Sequence, residues 1–153
     1  MLKPPFDRDG ILAVMRAFCD ATEILPADIV ITAGAACVLH GLRPTTNDVD
    51  IFVPPERVGP LWRRLDTVRK PVALGVTVAV WRGVVEAMTD GLFDHNPSIL
   101  VDGFRVLDPP SLLRQYEALN RPKDQEILEK LRGLQLEVKQ AIEHFDRVFH
   151  HPV

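Results

Sequence analysis

A chain of 153 residues, 46% hydrophobic and 25% charged, suits one soluble globular domain with a sizeable core. Its net charge of −3 and lack of a basic block exclude a grip on a long duplex, while a tRNA end or a nucleotide stays open. Cys19 and Cys37 lack metal-type spacing and read as reduced core thiols, no apolar run is long enough for a membrane span, and Lys3-Pro4-Pro5 leads into charged residues rather than a secretory leader, so a cytoplasmic protein with no membrane partner is expected.

In chain order, Asp7 or Asp9 caps a helix running to about residue 25, with Ile11, Leu12, Val14, Met15, Phe18 and Ile24 as its apolar set. Residues 28–32 read as a buried strand, and Gly34 opens a turn into a short helix through Leu39 that Gly41 stops. Residues 47–53 form a second strand, halted by Pro54-Pro55. Residues 56–68 are amphipathic, with Val58, Leu61, Trp62 and Leu65 on one stripe, and are predicted to be a helix. Residues 72–81 and 84–88 form a hairpin turning at Arg82-Gly83, and residues 90–97 a loop; a smaller hairpin turns at Asp102-Gly103. Pro109 and Pro110 start a helix that ends near Asn120.

From Pro122 one long helix is predicted to about Phe149. Its seam of Ile127, Leu131, Leu134, Val138, Ala141, Phe145 and Val148 alternates steps of four and three. That seam suits packing within the chain or a dimer, and in a domain this small the intramolecular use is expected. The whole is expected to be α/β (α+β), a small mixed sheet flanked by helices with a long C-terminal helix. A single domain over 1–153 is expected, with its core at about 1–108 and a helical segment at about 109–153.

The chemistry concentrates in the second strand. Side chains alternate along a strand, so Asp48 and Asp50 point one way and Val49 and Ile51 the other. Two carboxylates side by side repel, and a bound divalent cation relieves that repulsion. As an isolated motif, the pair reads better as a solvated face.

Gly34-Ala35, a helix, Arg43, Thr45-Thr46 and Asp48-Val49-Asp50 together resemble the signature of the polymerase-β-type nucleotidyltransferase superfamily. They are most similar to small bacterial stand-alone domains and to nucleotidyltransferase-like toxins of toxin–antitoxin pairs. The segment Arg121-Pro122-Lys123-Asp124 resembles the one that begins the C-terminal helix in those proteins. The resemblance implies transfer of a nucleoside monophosphate from an NTP, with Mg²⁺ or Mn²⁺ held by Asp48, Asp50 and a third acid. Glu86, apolar-flanked on its strand, is the candidate for that acid, and Thr77 on the preceding strand is the alternative occupant. The resemblance further implies that Gly34 and Ala35 cradle phosphate, that Arg43 and Thr46 face phosphate or the acids, and that Lys123, assisted by Arg121, offsets triphosphate charge. Asp124 reads as a capping or orienting group. The chain departs from the pattern at Ala35, where a glycine or serine is usual.

Phosphoryl chemistry is chiefly charge neutralisation and in-line positioning, so two acids and a phosphate-facing turn are the groups it needs. The acceptor, whether a protein, a tRNA end or a small molecule, is not written in these motifs. A catalytically degenerate binding module and a toxin restrained by an antitoxin are the alternative functions, and a homodimer or an antitoxin the possible protein partner. His40 reads as a packing or hydrogen-bonding residue. His95, His144, His150 and His151 lack ligand spacing, and Trp62 and Trp81 read as core or core-edge residues.

Overall fold

The computed structural model describes residues 2–71, 77–89 and 97–149. The chain divides into two compact units, Met1–Asp108 and Pro109–Val153.

In the first unit, seven strands among the described residues form one mixed sheet in the order β3-β4-β5-β2-β1-β7-β6. The strands are β1 (Val30–Thr32), β2 (Val49–Val53), β3 (Thr67–Pro71), β4 (Thr77–Trp81), β5 (Val85–Thr89), β6 (Ser98–Val101) and β7 (Phe104–Leu107). The helices are α1 (Arg8–Thr22), α2 (Ala33–Leu39) and α3 (Pro55–Trp62). β1 runs antiparallel to β2 and parallel to β7, while β2 runs parallel to β5.

The strand pattern separates two chemistries. Val49, Ile51 and Val53 of β2 and Val85 and Ala87 of β5 are buried, and the residues between them carry the acids. Trp81 faces Val85 across β4–β5 and meets Phe18 of α1 edge-on, ring centroids 5.5 Å apart at 82°. The amphipathic helix α1, capped by the Asp7 carboxylate on Gly10 N at 2.8 Å, therefore covers the apolar face.

Both hairpins turn where expected. Arg82 and Gly83 have φ of 52° and 69°, and Asp102 and Gly103 have 48° and 86°. Two consecutive positive-φ residues make the tight turn whose twist matches that of antiparallel strands. Residues 72–76 of the expected first hairpin strand, the loop at 90–96 with His95, and His150 and His151 lie outside the described residues.

Several boundaries differ from expectation. The first helix ends at Thr22, residues 26–28 form a 3₁₀ turn, and the first strand begins at Val30. The larger correction concerns residues 56–68. The helix α3 stops at Trp62, Leu65 is fully exposed, and Thr67-Val68 instead begin β3 against Trp81 and Val80. Asp66 explains the break: its carboxylate accepts from Arg64 Nε at 3.1 Å and Trp81 Nε1 at 3.0 Å, tying the turn to the end of β4. Past that anchor the β-branched residues gain more from a ladder than from another helical turn.

The second unit holds α4 (Pro109–Leu119), a 3₁₀ turn at Pro122–Asp124 and α5 (Gln125–Phe149). Asn120, at φ 45°, ends α4. The seam of α5 is buried at Ile127 and Leu131, but every residue from Gln135 to Phe149 is exposed. Intramolecular packing of the whole seam is thus corrected. α4 has 11 residues and α5 has 25, so α4 is too short to cover all of its neighbour.

Candidate active site

Strand register builds the acidic cluster. Asp50 on β2 is the direct partner of Glu86 on the parallel β5, so both carboxylates rise from the same face. Asp48 lies just ahead of β2, two residues from Asp50. Asp48, Asp50 and Glu86 each offer a carboxylate oxygen, and these oxygens lie within 4.8 Å of one another. Thr77, the alternative third position, pairs with Pro71 at the far end of β4 from the β4–β5 turn, whereas Val80 is the residue opposite Glu86.

The electrostatics of the cluster are strained in a way a cation relieves. Burial pushes the Asp50 carboxyl up to about 8, helped by the hydrogen bond it shares with Glu86 and by the Asp48 and Glu86 charges. Burial also acts to raise Glu86, but hydrogen bonds with Asp50 and Lys70 outweigh it and hold that carboxyl below its ordinary value. Asp50 Oδ1 is buried with no hydrogen-bond partner, as are Trp62 Nε1 and Thr67 Oγ1 among the described residues. An unpartnered carboxylate oxygen inside a three-acid cluster fits a hard divalent cation, which prefers oxygen ligands.

The second wall of the site is the turn between β1 and α2. Its left-handed residue is Ala33, at φ 52°, one position before the expected Gly34. The turn is therefore Ala33-Gly34. Ala35, expected in the phosphate cradle, is the third residue of α2, its side chain 1% exposed. Gly34 is required by close approach. A Cβ there would sit 2.8 Å from Thr46 Oγ1 and 3.3 Å from Arg43 Nη1. Thr46 in turn donates its hydroxyl to the Asp48 carbonyl at 3.2 Å and exchanges backbone hydrogen bonds with Phe6. Arg43 Nε donates to the Thr45 carbonyl at 2.9 Å, which lays the guanidinium beside the turn. Gly34, Arg43 and Thr46 thus gather on one side of the acid-bearing strand.

Sequence reasoning missed Lys70. Its Nζ lies 2.9 Å from Glu86 Oε1, and the hydrogen bond and charge of Glu86 raise the ammonium above its ordinary value. Lys70 is on β3, and the segment leading into β3 reads as helix from its apolar spacing. A strand assignment from Thr67 onward, with the Arg82-Gly83 turn fixing the hairpin, is the signal that leads to it.

Lys123 is exposed on the 3₁₀ turn of the second unit, and Arg121 is engaged by Asp124 at 2.6 Å, so Asp124 orients the turn. His40 Nε2 bonds the Leu107 carbonyl at 2.8 Å, joining α2 to β7. Cys37 is buried and Cys19 half-buried, and neither forms a disulfide.

The mixed sheet thus carries Asp50 on β2 with Asp48 just ahead of it, Glu86 on the parallel neighbour β5 and a small-residue turn after β1. The solved structures agree on the fold. Along 84% of its length the chain resembles a provisionally named nucleotidyltransferase from Thermotoga maritima, with a TM-score of 0.55, 18% identity and 96% of that chain covered. It also resembles the Megavirus polyadenylate synthase over 81% of its length, with a TM-score of 0.54 and 11% identity. There the chain spans 30% of the viral enzyme. No protein-family model and no curated protein matches the sequence.

Proposed function

We propose that this protein is a metal-dependent nucleotidyltransferase that moves a nucleoside monophosphate from an NTP to an acceptor. The observation carrying the proposal is the cluster of Asp48, Asp50 and Glu86, whose oxygens lie within 4.8 Å of one another on neighbouring strands. Asp48 and Asp50 would hold Mg²⁺ or Mn²⁺, with Glu86 as the third ligand. When bound, such ions neutralise phosphate charge and polarise the bond to the leaving group. The chain's own groups do the rest. Arg43, laid beside the Ala33-Gly34 turn, faces a triphosphate with positive charge, and Gly34 leaves room where a side chain would strike Thr46. The Thr46 hydroxyl fixes the backbone of Asp48. Glu86 would also accept the proton of an acceptor hydroxyl.

The complete set of three acids favours catalysis over a degenerate binding module. Outside the site, the exposed face of α5, with Val138, Ile142, Phe145, Val148 and Phe149, supports pairing with a second copy of the chain ahead of an antitoxin partner, because the heptad seam continues through it. The test is transfer of label from an α-labelled NTP to candidate acceptors with Mg²⁺ or Mn²⁺. Wild type is expected to transfer, and Asp48→Ala and Asp50→Ala to lose at least about a hundredfold, the scale of losing a principal electrostatic group. Equal metal and nucleotide binding by all three proteins would contradict the proposal.

A further inference from the structure

We propose that Lys70 is a built-in counter-cation of the acidic cluster, paired with Glu86 and competing with the metal ion for that carboxylate. The proposal rests on the metal site proposed above. Lys70 pairs with Val78 on β4, and Glu86 pairs with Val80 on the same strand, so Lys70 and Glu86 stand on one sheet face with β4 between them. The lysine side chain crosses that strand, and its ammonium reaches Glu86 Oε1 at 2.9 Å. The direction is informative. An edge-strand lysine ordinarily projects its charge to solvent, where it deters pairing with other chains. Here the side chain is 57% exposed, yet its charged end is turned onto a carboxylate that is only 19% exposed.

Charge decides the consequence. Three carboxylates with Lys70 removed present a stronger field to a cation than the same three with one neutralised. A divalent ion that takes Glu86 must displace the ammonium or share the carboxylate with it. Lys70 therefore weakens metal binding before nucleotide arrives and keeps Glu86 oriented until then. Once released, the ammonium remains at the rim of the same sheet face, where polyphosphate charge can receive it.

Titration of the metal-free protein with Mn²⁺, without nucleotide, tests this by calorimetry and by the Mn²⁺ electron-spin signal. Lys70→Met and Lys70→Gln are expected to bind on the order of tenfold more tightly, as for a divalent ion and a unit charge a few ångströms apart in a water-like dielectric. Lys70→Arg, which keeps the charge, is expected to match wild type. Unchanged or weaker binding by both neutral variants overturns the counter-cation role. Asp50→Asn separates the two levels of the argument. If it abolishes binding while the Lys70 variants match wild type, the metal site stands and the counter-cation fails. If wild type and Asp50→Asn take up no Mn²⁺ alike, the metal site itself fails.

Discussion

Asp50 and Glu86 are register partners across the parallel pair β2–β5, and Asp50 keeps a buried carboxylate oxygen without a partner. One strand pairing therefore brings the third acid to the first two, although thirty-six positions of sequence separate it from Asp50. It also creates a local repulsion that the protein carries until a cation or a proton relieves it.

That repulsion sets a pH dependence. The Asp50 carboxyl is raised by burial from 3.8 to about 8, so between those values the folded protein holds a proton that the unfolded chain gives up. This contribution to stability is complete at low pH and is lost as pH rises toward about 8. In metal-free protein, Asp50→Asn is expected to remove that decline and to raise stability at pH 8 by about 1–3 kcal/mol, read from thermal unfolding across pH. Metal must expel the same proton. Affinity is expected to rise about tenfold per pH unit up to the raised value, with proton release visible by calorimetry in buffers of different protonation heat.

The turn couples to the acids through Thr46. Gly34→Ala would put a methyl 2.8 Å from Thr46 Oγ1, and that hydroxyl is held by the Asp48 carbonyl. A loss of about 1–3 kcal/mol is expected, with weakened metal binding, and most of it is expected to vanish in a Thr46→Ala background. Ala33→Gly is expected to do the opposite. It relieves a left-handed alanine and stabilises by up to about 1 kcal/mol. Denaturant unfolding of the single and double variants reads both effects.

Along α5 the same apolar seam has two different energetic roles. Leu131→Ala, at a fully buried site, is expected to cost about 2–5 kcal/mol. Val138→Ala and Phe145→Ala, both about half-exposed, are expected to change the stability of dilute monomer by under about 0.5 kcal/mol. If a second copy covers this face, those two variants instead shift the monomer–dimer equilibrium toward monomer, which sedimentation reads.

Much of this was legible in the residues because the signals were local. The Asp48-Val49-Asp50 alternation, the two Gly-containing hairpin turns and the Asp7 cap each need only a few neighbouring residues, and each matches an observed element. Where a distant contact decides the outcome, local patterns misled. Residues 56–68 have helical spacing, but the Asp66–Trp81 hydrogen bond ends the helix and hides Lys70 from a periodicity argument. The left-handed residue of the turn is Ala33 rather than Gly34, and residue type misled there because that region favours glycine. The α5 seam gave the right helix, but only its first part is buried within the chain, since periodicity shows an apolar face but not what length of neighbour is available to cover it.

The most direct test of the central claim is anomalous diffraction from crystals soaked with Mn²⁺ and a non-hydrolysable NTP. A peak is expected within roughly 2.0–2.3 Å of carboxylate oxygens of Asp48 and Asp50, with Glu86 turned toward it and away from Lys70. Nucleotide bound elsewhere, or no peak at the three acids while Glu86 keeps its bond to Lys70, would contradict it.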